Sequence, residues 1–217
     1  MSAKKRIAVV LSGCGVYDGA EIHEATLILL AISRAGAEYV IFAPDIAQTH
    51  VINHLTGEVM NESRNVLVES ARIARGKIEN LKNYKASAFD ALIFPGGFGA
   101  AKNLSSFAFD GPGCTVDPDV EAAVKNTVAA GKPIGALCIA PAVITRILGD
   151  IEVTIGNDPE TAGAIEAMGG KHTHTTHGEV IVDRKYKVLS TPCYMLNASI
   201  SQIAEGAENL IKTILYI

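Results

Sequence analysis

The chain has 217 residues, of which 48% are hydrophobic and 19% are charged, a balance that excludes intrinsic disorder and allows a full apolar core. The formal net charge is −4 with no cluster of lysine or arginine, so we expect neither nucleic acid nor an anionic membrane as a partner. No apolar run reaches a membrane-spanning length, and the run 7–11 is too short for a signal peptide.

Strands and helices alternate along the chain. Short apolar runs predict buried strands, over 5–11, 39–43, 91–94, 134–137 and 153–155. Longer periodic stretches predict helices over 19–35, 118–130, 159–168 and 196–216, and residues 180–190 predict a hairpin centred on 183–185. The alternation indicates an α/β fold, a three-layer doubly wound sandwich around a largely parallel sheet.

Two segments interrupt this alternation. Residues 50–83, with a turn at 55–58 and an amphipathic stretch over 66–78, are predicted to be an insertion between the second and third strands. Residues 98–118 are rich in glycine and are predicted to form a loop beside the end of the third strand. Because we find no internal repeat and no linker, we predict a single domain over residues 1–217.

Cys138 lies at a predicted turn between the fourth strand and a helix with Pro141 in its first turn, where a missing N–H costs nothing. A thiol at such a turn stands clear at the carboxyl end of the strand, beneath the positive end of a helix dipole. Both features favour the nucleophilic thiolate, so Cys138 is a candidate catalytic residue. The alternative is a buried cysteine that only fills space in the core.

Backbone N–H groups are expected to surround this cysteine. In open α/β sheets ligands bind beyond the carboxyl ends of the strands, where the loops 12–19 and 95–99 and the Cys138 turn would meet. Gly97, Gly96 and Ile139 are the candidate donors to an oxyanion or ligand there. For the glycines, the alternative is a tight turn without further function.

Glu24 is the candidate acid. Its helical neighbours Ala20, Leu27 and Ile28 are apolar, which places its carboxyl on the buried face of the first helix. Burial raises the pKa of an unpaired carboxyl into the range of a general acid or base. The alternative is a helix-start acid held by backbone N–H groups, the role that we also expect for Glu21 as a first-turn charge.

The two candidates should interact if the fold brings them together. We then expect the Glu24 carboxyl roughly 3–3.5 Å from the Cys138 sulfur. A protonated Glu24 that donates to the thiolate would have a raised pKa, and the pKa of Cys138 would be lowered.

No metal, cofactor or disulfide is predicted. His172, His174 and His177 could ligate zinc, but a predicted turn at 175–176 and the lack of a nearby carboxylate favour a solvated polar strand. The remaining cysteines, Cys14, Cys114 and Cys193, are too scattered for a disulfide framework. Reduced thiols and a cytoplasmic location are therefore expected, with Cys14 and Cys193 as packing residues.

The chain resembles the DJ-1/PfpI superfamily, and within it the ElbB subgroup, from near residue 5 to past residue 190. The matching segments are 12–19, 21–24, 53–57, 94–103, 114–117, 138–141 and 191–192. The resemblance implies the flavodoxin-like, class I glutamine amidotransferase-like architecture and a homodimer. It also implies Cys138 as the elbow nucleophile, Glu24 as the motif acid, and Gly97 as the glycine whose N–H lies by the nucleophile.

Departures from the family pattern narrow the expected activity. Ile139 stands where protease-like members have a histidine, no downstream His-x-Glu pair is evident, and the stretch 154–158 lacks the histidine of glyoxalase relatives. A protease is therefore not expected, because nothing serves as the base. The resemblance implies a cofactor-independent glyoxalase of low turnover that acts on a small aldehyde, methylglyoxal or glyoxal. The alternative is a non-catalytic or redox-responsive binding protein with an oxidisable Cys138, connected to isoprenoid metabolism by the subgroup's name.

Overall fold

A computed structural model describes residues 4–217 of the chain. Its strands are β1 (Arg6–Val10), β2 (Glu38–Ala43), β3 (Glu79–Asn80), β4 (Ala91–Phe94), β5 (Ile134–Leu137), β6 (Glu152–Val153), β7 (Lys171–His172), β8 (Ile181–Asp183) and β9 (Val188–Thr191). Its helices are α1 (Ile22–Arg34), α2 (Val66–Ile73), α3 (Phe98–Lys102), α4 (Phe107–Asp110), α5 (Pro118–Ala129), α6 (Ala140–Leu148), α7 (Pro159–Ala167) and α8 (Ile200–Tyr216).

The central sheet has the strand order β3-β2-β1-β4-β5-β9-β8. Its neighbouring strands are parallel except β8 and β9, which form the predicted hairpin. Alternate residues of a strand face opposite sides of a sheet, and β1 divides its side chains in this way. Ala8 and Val10 join one apolar core, and Ile7 and Val9 join the other. The predicted α/β fold class, with helices on both faces of a largely parallel sheet, is confirmed.

Two local predictions are wrong. Residues 98–118 are not a plain loop, because they contain α3 and α4. Gly99 serves close packing and not a turn, since a Cβ there would lie 2.5 Å from the Ser12 carbonyl oxygen. Of the predicted strand 153–155, only Val153 lies in a strand. That strand is β6, which pairs with β7 in a separate two-stranded sheet. The N–H of Thr154 donates to the Ser190 hydroxyl at 2.8 Å, a side-chain contact in place of a ladder bond.

The segment 50–83 also holds more regular structure than its turn signal indicates. Its amphipathic stretch forms α2, which ends at Ile73, ahead of Arg75 and Gly76 with φ of 54° and 77°. The segment then adds β3 to the edge of the central sheet, opposite Phe42 and Ala43. Within residues 4–217, no helix is both long and apolar enough to cross a membrane.

Candidate active site

Cys138 lies in a strained turn at the carboxyl end of β5. Its φ is 58°, a left-handed conformation that few non-glycine residues adopt and that is often found at functional sites. Its N–H donates to the Thr191 carbonyl at 3.0 Å, and α6 begins two residues later. The side chain does not stand clear of the protein as expected, because Cys138 is only 8% exposed.

Glu24 faces the same point from α1 and is fully buried. Its Oε2 accepts the Gly96 N–H at 2.9 Å, and its Oε1 accepts the Tyr194 N–H at 3.2 Å. The carboxyl lies beside the Cys138 thiol, because Glu24 Oε2 and the Cys138 sulfur are both within 3 Å of the point that a Cβ on Gly96 would occupy. Burial raises the pKa of Glu24 from 4.5 to about 7, although the two backbone donors and the cysteine oppose the shift.

Gly96 allows the two side chains to meet. A Cβ at this position would lie 2.4 Å from the Cys138 Cβ, 2.7 Å from Glu24 Oε2 and 2.9 Å from the Cys138 sulfur. Any larger residue would therefore separate the carboxyl from the thiol. The Gly96 N–H is not a free donor for a substrate oxyanion, as the sequence suggested, because it is bound to Glu24.

The backbone N–H groups of Gly97 and Ile139 lower the pKa of the Cys138 thiol. Gly97 has a φ of 93°, and a Cβ there would lie 2.3 Å from the Glu21 backbone nitrogen. The position therefore admits no side chain. Glu21 itself is the N-cap of α1, and its carboxylate accepts the Glu24 N–H at 2.7 Å.

The expected direction of the Cys138 pKa is wrong. Burial raises the pKa of the thiol well above its usual range, the Glu24 charge raises it further, and the Gly97 and Ile139 donors offset only part of this. The helix dipole and two N–H groups do not compensate for removal of the sulfur from water. Glu24 is therefore the first of the pair to lose its proton, and near neutral pH the thiol keeps its own.

Two residues of this site carry no clear sequence signal. Tyr194 reaches Glu24 through its backbone N–H, and its hydroxyl lies 2.8 Å from His23 Nδ1 on α1. Cys193 is buried beside the pair with a φ of 43°, and burial raises the pKa of its thiol well above the usual range. The only hint in the sequence is position, because both follow β9, the parallel neighbour of β5.

Further polar and aromatic residues lie on the loop after β1. The buried Asp18 accepts the Ile52 N–H at 2.7 Å, and its other oxygen lies 3.8 Å from His54 Nε2. His54 Nε2 in turn accepts the Tyr17 N–H at 3.2 Å. No role was predicted for His54, which the segment 50–83 brings to this end of the sheet.

The histidines and cysteines of this chain are possible metal ligands, and the cysteines are also possible disulfide partners. The His172 and His174 rings are 5.2 Å apart between centroids, but His172 Nε2 accepts the Ile155 N–H at 3.3 Å. In the described range 4–217, no three His, Cys, Asp or Glu side chains are arranged to hold a metal ion. All four cysteines are free thiols, and Cys14 is half-buried.

Two surface cavities lie away from Cys138. One, of about 720 Å³, runs along β2 and residues 74–79. The other, of about 200 Å³, lies at the amino ends of β1, β4 and β5. Because ligands of open α/β sheets bind at the carboxyl ends of the strands, the Cys138 turn is the stronger candidate site.

Comparison with known proteins identifies relatives of this chain. No family model matches the chain. The human protein named glutamine amidotransferase-like class 1 domain-containing protein 3, mitochondrial, is 52% identical over 220 residues, which cover 97% of this chain and 82% of that protein. The rat ES1 protein homolog, mitochondrial, is 51% identical over 222 residues, covering 98% and 84%.

Two solved structures are similar to this chain. An isoprenoid biosynthesis protein with amidotransferase-like domain from Ehrlichia chaffeensis superimposes with a TM-score of 0.92 at 38% identity, over 98% of both chains. A DJ-1 superfamily protein from Salmonella typhimurium has a TM-score of 0.60 at 20% identity, over 98% of this chain and 91% of that one, and shows the common fold.

The expected cytoplasmic location is contradicted by the curated relatives. The human and rat proteins are both named as mitochondrial. Free thiols do not distinguish one reducing compartment from another, which is why the expectation from the cysteines was wrong.

Proposed function

Because the chain belongs to the family of the glutamine amidotransferase-like class 1 and ES1 proteins and shares the fold of DJ-1 superfamily proteins, we propose that it is a cofactor-independent glyoxalase. It would convert methylglyoxal to lactate, or glyoxal to glycolate. The observation that carries the proposal is the burial of the Glu24 carboxyl beside the Cys138 thiol, both of them packed against Gly96.

The first step adds the thiol to the aldehyde. The Glu24 carboxylate takes the Cys138 proton as the sulfur bonds to the aldehyde carbon, and that proton passes to the carbonyl oxygen to complete a hemithioacetal. A base with a pKa of about 7 is well matched to this task at neutral pH. The N–H groups of Gly97 and Ile139 can stabilise the sulfur and the oxygen that develops negative charge beside it.

The second step moves a proton between neighbouring carbons. Glu24 removes the C–H proton of the hemithioacetal carbon to give an enediol, and returns a proton to the adjacent carbon to give a thioester. Water then hydrolyses the thioester, which releases the hydroxy acid and restores the thiol. One carbon is oxidised and its neighbour is reduced, so no external oxidant or reductant is needed.

The contacts of Cys138 favour this activity over a peroxide sensor. Oxidation of a cysteine follows its thiolate fraction and its exposure, and Cys138 is buried with a raised pKa. A neutral thiol beside a carboxylate base suits substrate addition better than sensing, because the base creates the thiolate only when an aldehyde is present.

The test is consumption of methylglyoxal and formation of lactate by the purified protein without glutathione. We expect Cys138→Ala and Glu24→Gln to lose the activity, while Cys114→Ala, which changes another buried free cysteine, retains it. Turnover that survives Cys138→Ala would overturn the proposal.

A further inference from the structure

Four side chains form an open aromatic and basic edge near Cys138, which we call the rim: Tyr17, His54, Phe98 and Lys102. The Tyr17 and His54 rings are 5.0 Å apart between centroids, and the Lys102 Nζ lies 5.0 Å from the centroid of the Phe98 ring. Tyr17 and Phe98 are 42% and 48% exposed. Aromatic side chains that remain in water beside a cleft offer contact area to a ligand.

The rim is built on the backbone that contacts the sulfur. Phe98 lies two residues after Gly96, where a Cβ would be 2.9 Å from the Cys138 sulfur, and the Phe98 N–H donates to the Val16 carbonyl at 2.8 Å. The loop after β1 and the start of α3 are thus joined at the edge of the Cys138 turn.

The Lys102 ammonium group lies next to the Phe98 ring. Lys102 lies one helical turn after Phe98, and side chains of a helix lean toward the helix N-terminus. Its Nζ accordingly returns over the Phe98 ring and donates to the Tyr17 carbonyl at 3.0 Å. That bond uses one of the three N–H donors of the ammonium group.

The acidic neighbour of Lys102 is already engaged elsewhere. Asp18 is buried, accepts the Ile52 N–H at 2.7 Å and lies 3.8 Å from His54 Nε2. Its carboxylate is thereby held by the segment 50–83, while the ammonium of the half-buried Lys102 remains at the surface.

We propose that the rim binds an anionic group of the substrate, so that the preferred substrates are α-oxoaldehydes that carry a carboxylate a few bonds from the aldehyde. This inference rests on the proposed glyoxalase function and names its substrate class. Lys102 pairs with the carboxylate, and the Tyr17 and Phe98 rings pack against the carbon chain between the two ends. Methylglyoxal and glyoxal are too short to use this contact.

The first test compares 4,5-dioxopentanoate with its methyl ester, which differs in charge at almost constant shape. We expect kcat/KM for the acid to exceed that for the ester by about tenfold, as for an ion pair in partly exposed surroundings. Lys102→Met should abolish this preference through KM, and Lys102→Arg should keep it. Lys125→Met, which removes an exposed lysine on α5, is the matched control and should behave as wild type. Equal use of acid and ester by the wild type overturns the proposal.

The second test does not require turnover. Cys138 is alkylated with iodoacetate or iodoacetamide, and the ratio of the two rate constants is normalised to that of N-acetylcysteine. The ratio should fall about threefold to tenfold in Lys102→Met and stay constant in Lys102→Arg and Lys125→Met. If the ratio falls while no aldehyde is consumed, the anion subsite stands and the glyoxalase function fails. If the ratio is unchanged, or if neither reagent nor substrate reaches Cys138, the proposal is wrong.

Discussion

Replacement of Glu24 by glutamine should remove a pH dependence from the stability of the protein. The carboxyl has a pKa of about 7 in the fold against 4.5 when free, so between these values the unfolded chain releases a proton that the folded chain retains. Stability of the wild type therefore falls as pH rises through this window and levels off above pH 7. At about 1.4 kcal/mol per pH unit, the loss is about 3 kcal/mol for this fully buried group.

Glu24→Gln has no proton to lose, so its stability should lack this decline. The variant also has a cost that does not depend on pH. Glu24 accepts N–H groups on both oxygens, from Gly96 and from Tyr194, and an amide must turn its NH₂ toward one of them. An unpaired buried donor costs about 1–3 kcal/mol.

Chemical denaturation of both proteins from pH 4.5 to pH 8.5 measures these effects. Other titrating groups contribute equally, so the informative quantity is the stability of the wild type minus that of the variant. We expect this difference to shrink by about 3 kcal/mol across the window. A constant difference would show that Glu24 ionises with an ordinary pKa, and the reasoning from burial would be refuted.

Three further predictions concern the same site. Gly96→Ala should destabilise the fold by about 1–3 kcal/mol and abolish activity, because its Cβ would lie 2.4 Å from the Cys138 Cβ. In the control Gly163→Ala the added Cβ would meet no atom within 4 Å, so this variant should be neutral or stabilising. Equal unfolding midpoints for the two variants would contradict this prediction. Alkylation of Cys138 should still accelerate above pH 9, since the pKa of its thiol is raised well beyond 9.0, and a plateau below pH 8 would show the opposite shift. Light scattering should give the mass of a homodimer, and a monomer at micromolar concentration would exclude that expectation.

The sheet was predictable because its strands are short apolar runs. Residues 91–94 and 134–137 form strands with the predicted bounds, since a strand buried on both faces must be apolar throughout. Gly99 misled the prediction for α3, because the same residue type serves turns and close backbone contacts. The strand predicted at 153–155 ends at Val153, and the next N–H, that of Thr154, donates to the hydroxyl of Ser190, which lies far along the chain.

Part of the candidate site could also be predicted from the spacing of apolar residues. Helical spacing alone places the Glu24 carboxyl on the buried side of α1, and the structure puts it there. The sign of the Cys138 shift could not be obtained this way, because it depends on how completely α1, Gly96 and the turn after β9 exclude water from the sulfur. The Tyr194 N–H that donates to Glu24 comes from a residue 170 positions away, so no local sequence pattern could predict this contact.

The pH profile of kcat/KM for methylglyoxal from pH 5 to pH 9 measures directly whether the Glu24 carboxylate activates Cys138. If Glu24 is the base that activates Cys138, the rate should rise about tenfold per pH unit below pH 7 and reach a plateau above it, since the pKa of Glu24 is about 7. Glu24→Gln should show no such rise at any measurable rate. A profile without an inflection near pH 7, or a Glu24→Gln variant that turns over at the wild-type rate, would show that Glu24 is not the base that activates Cys138.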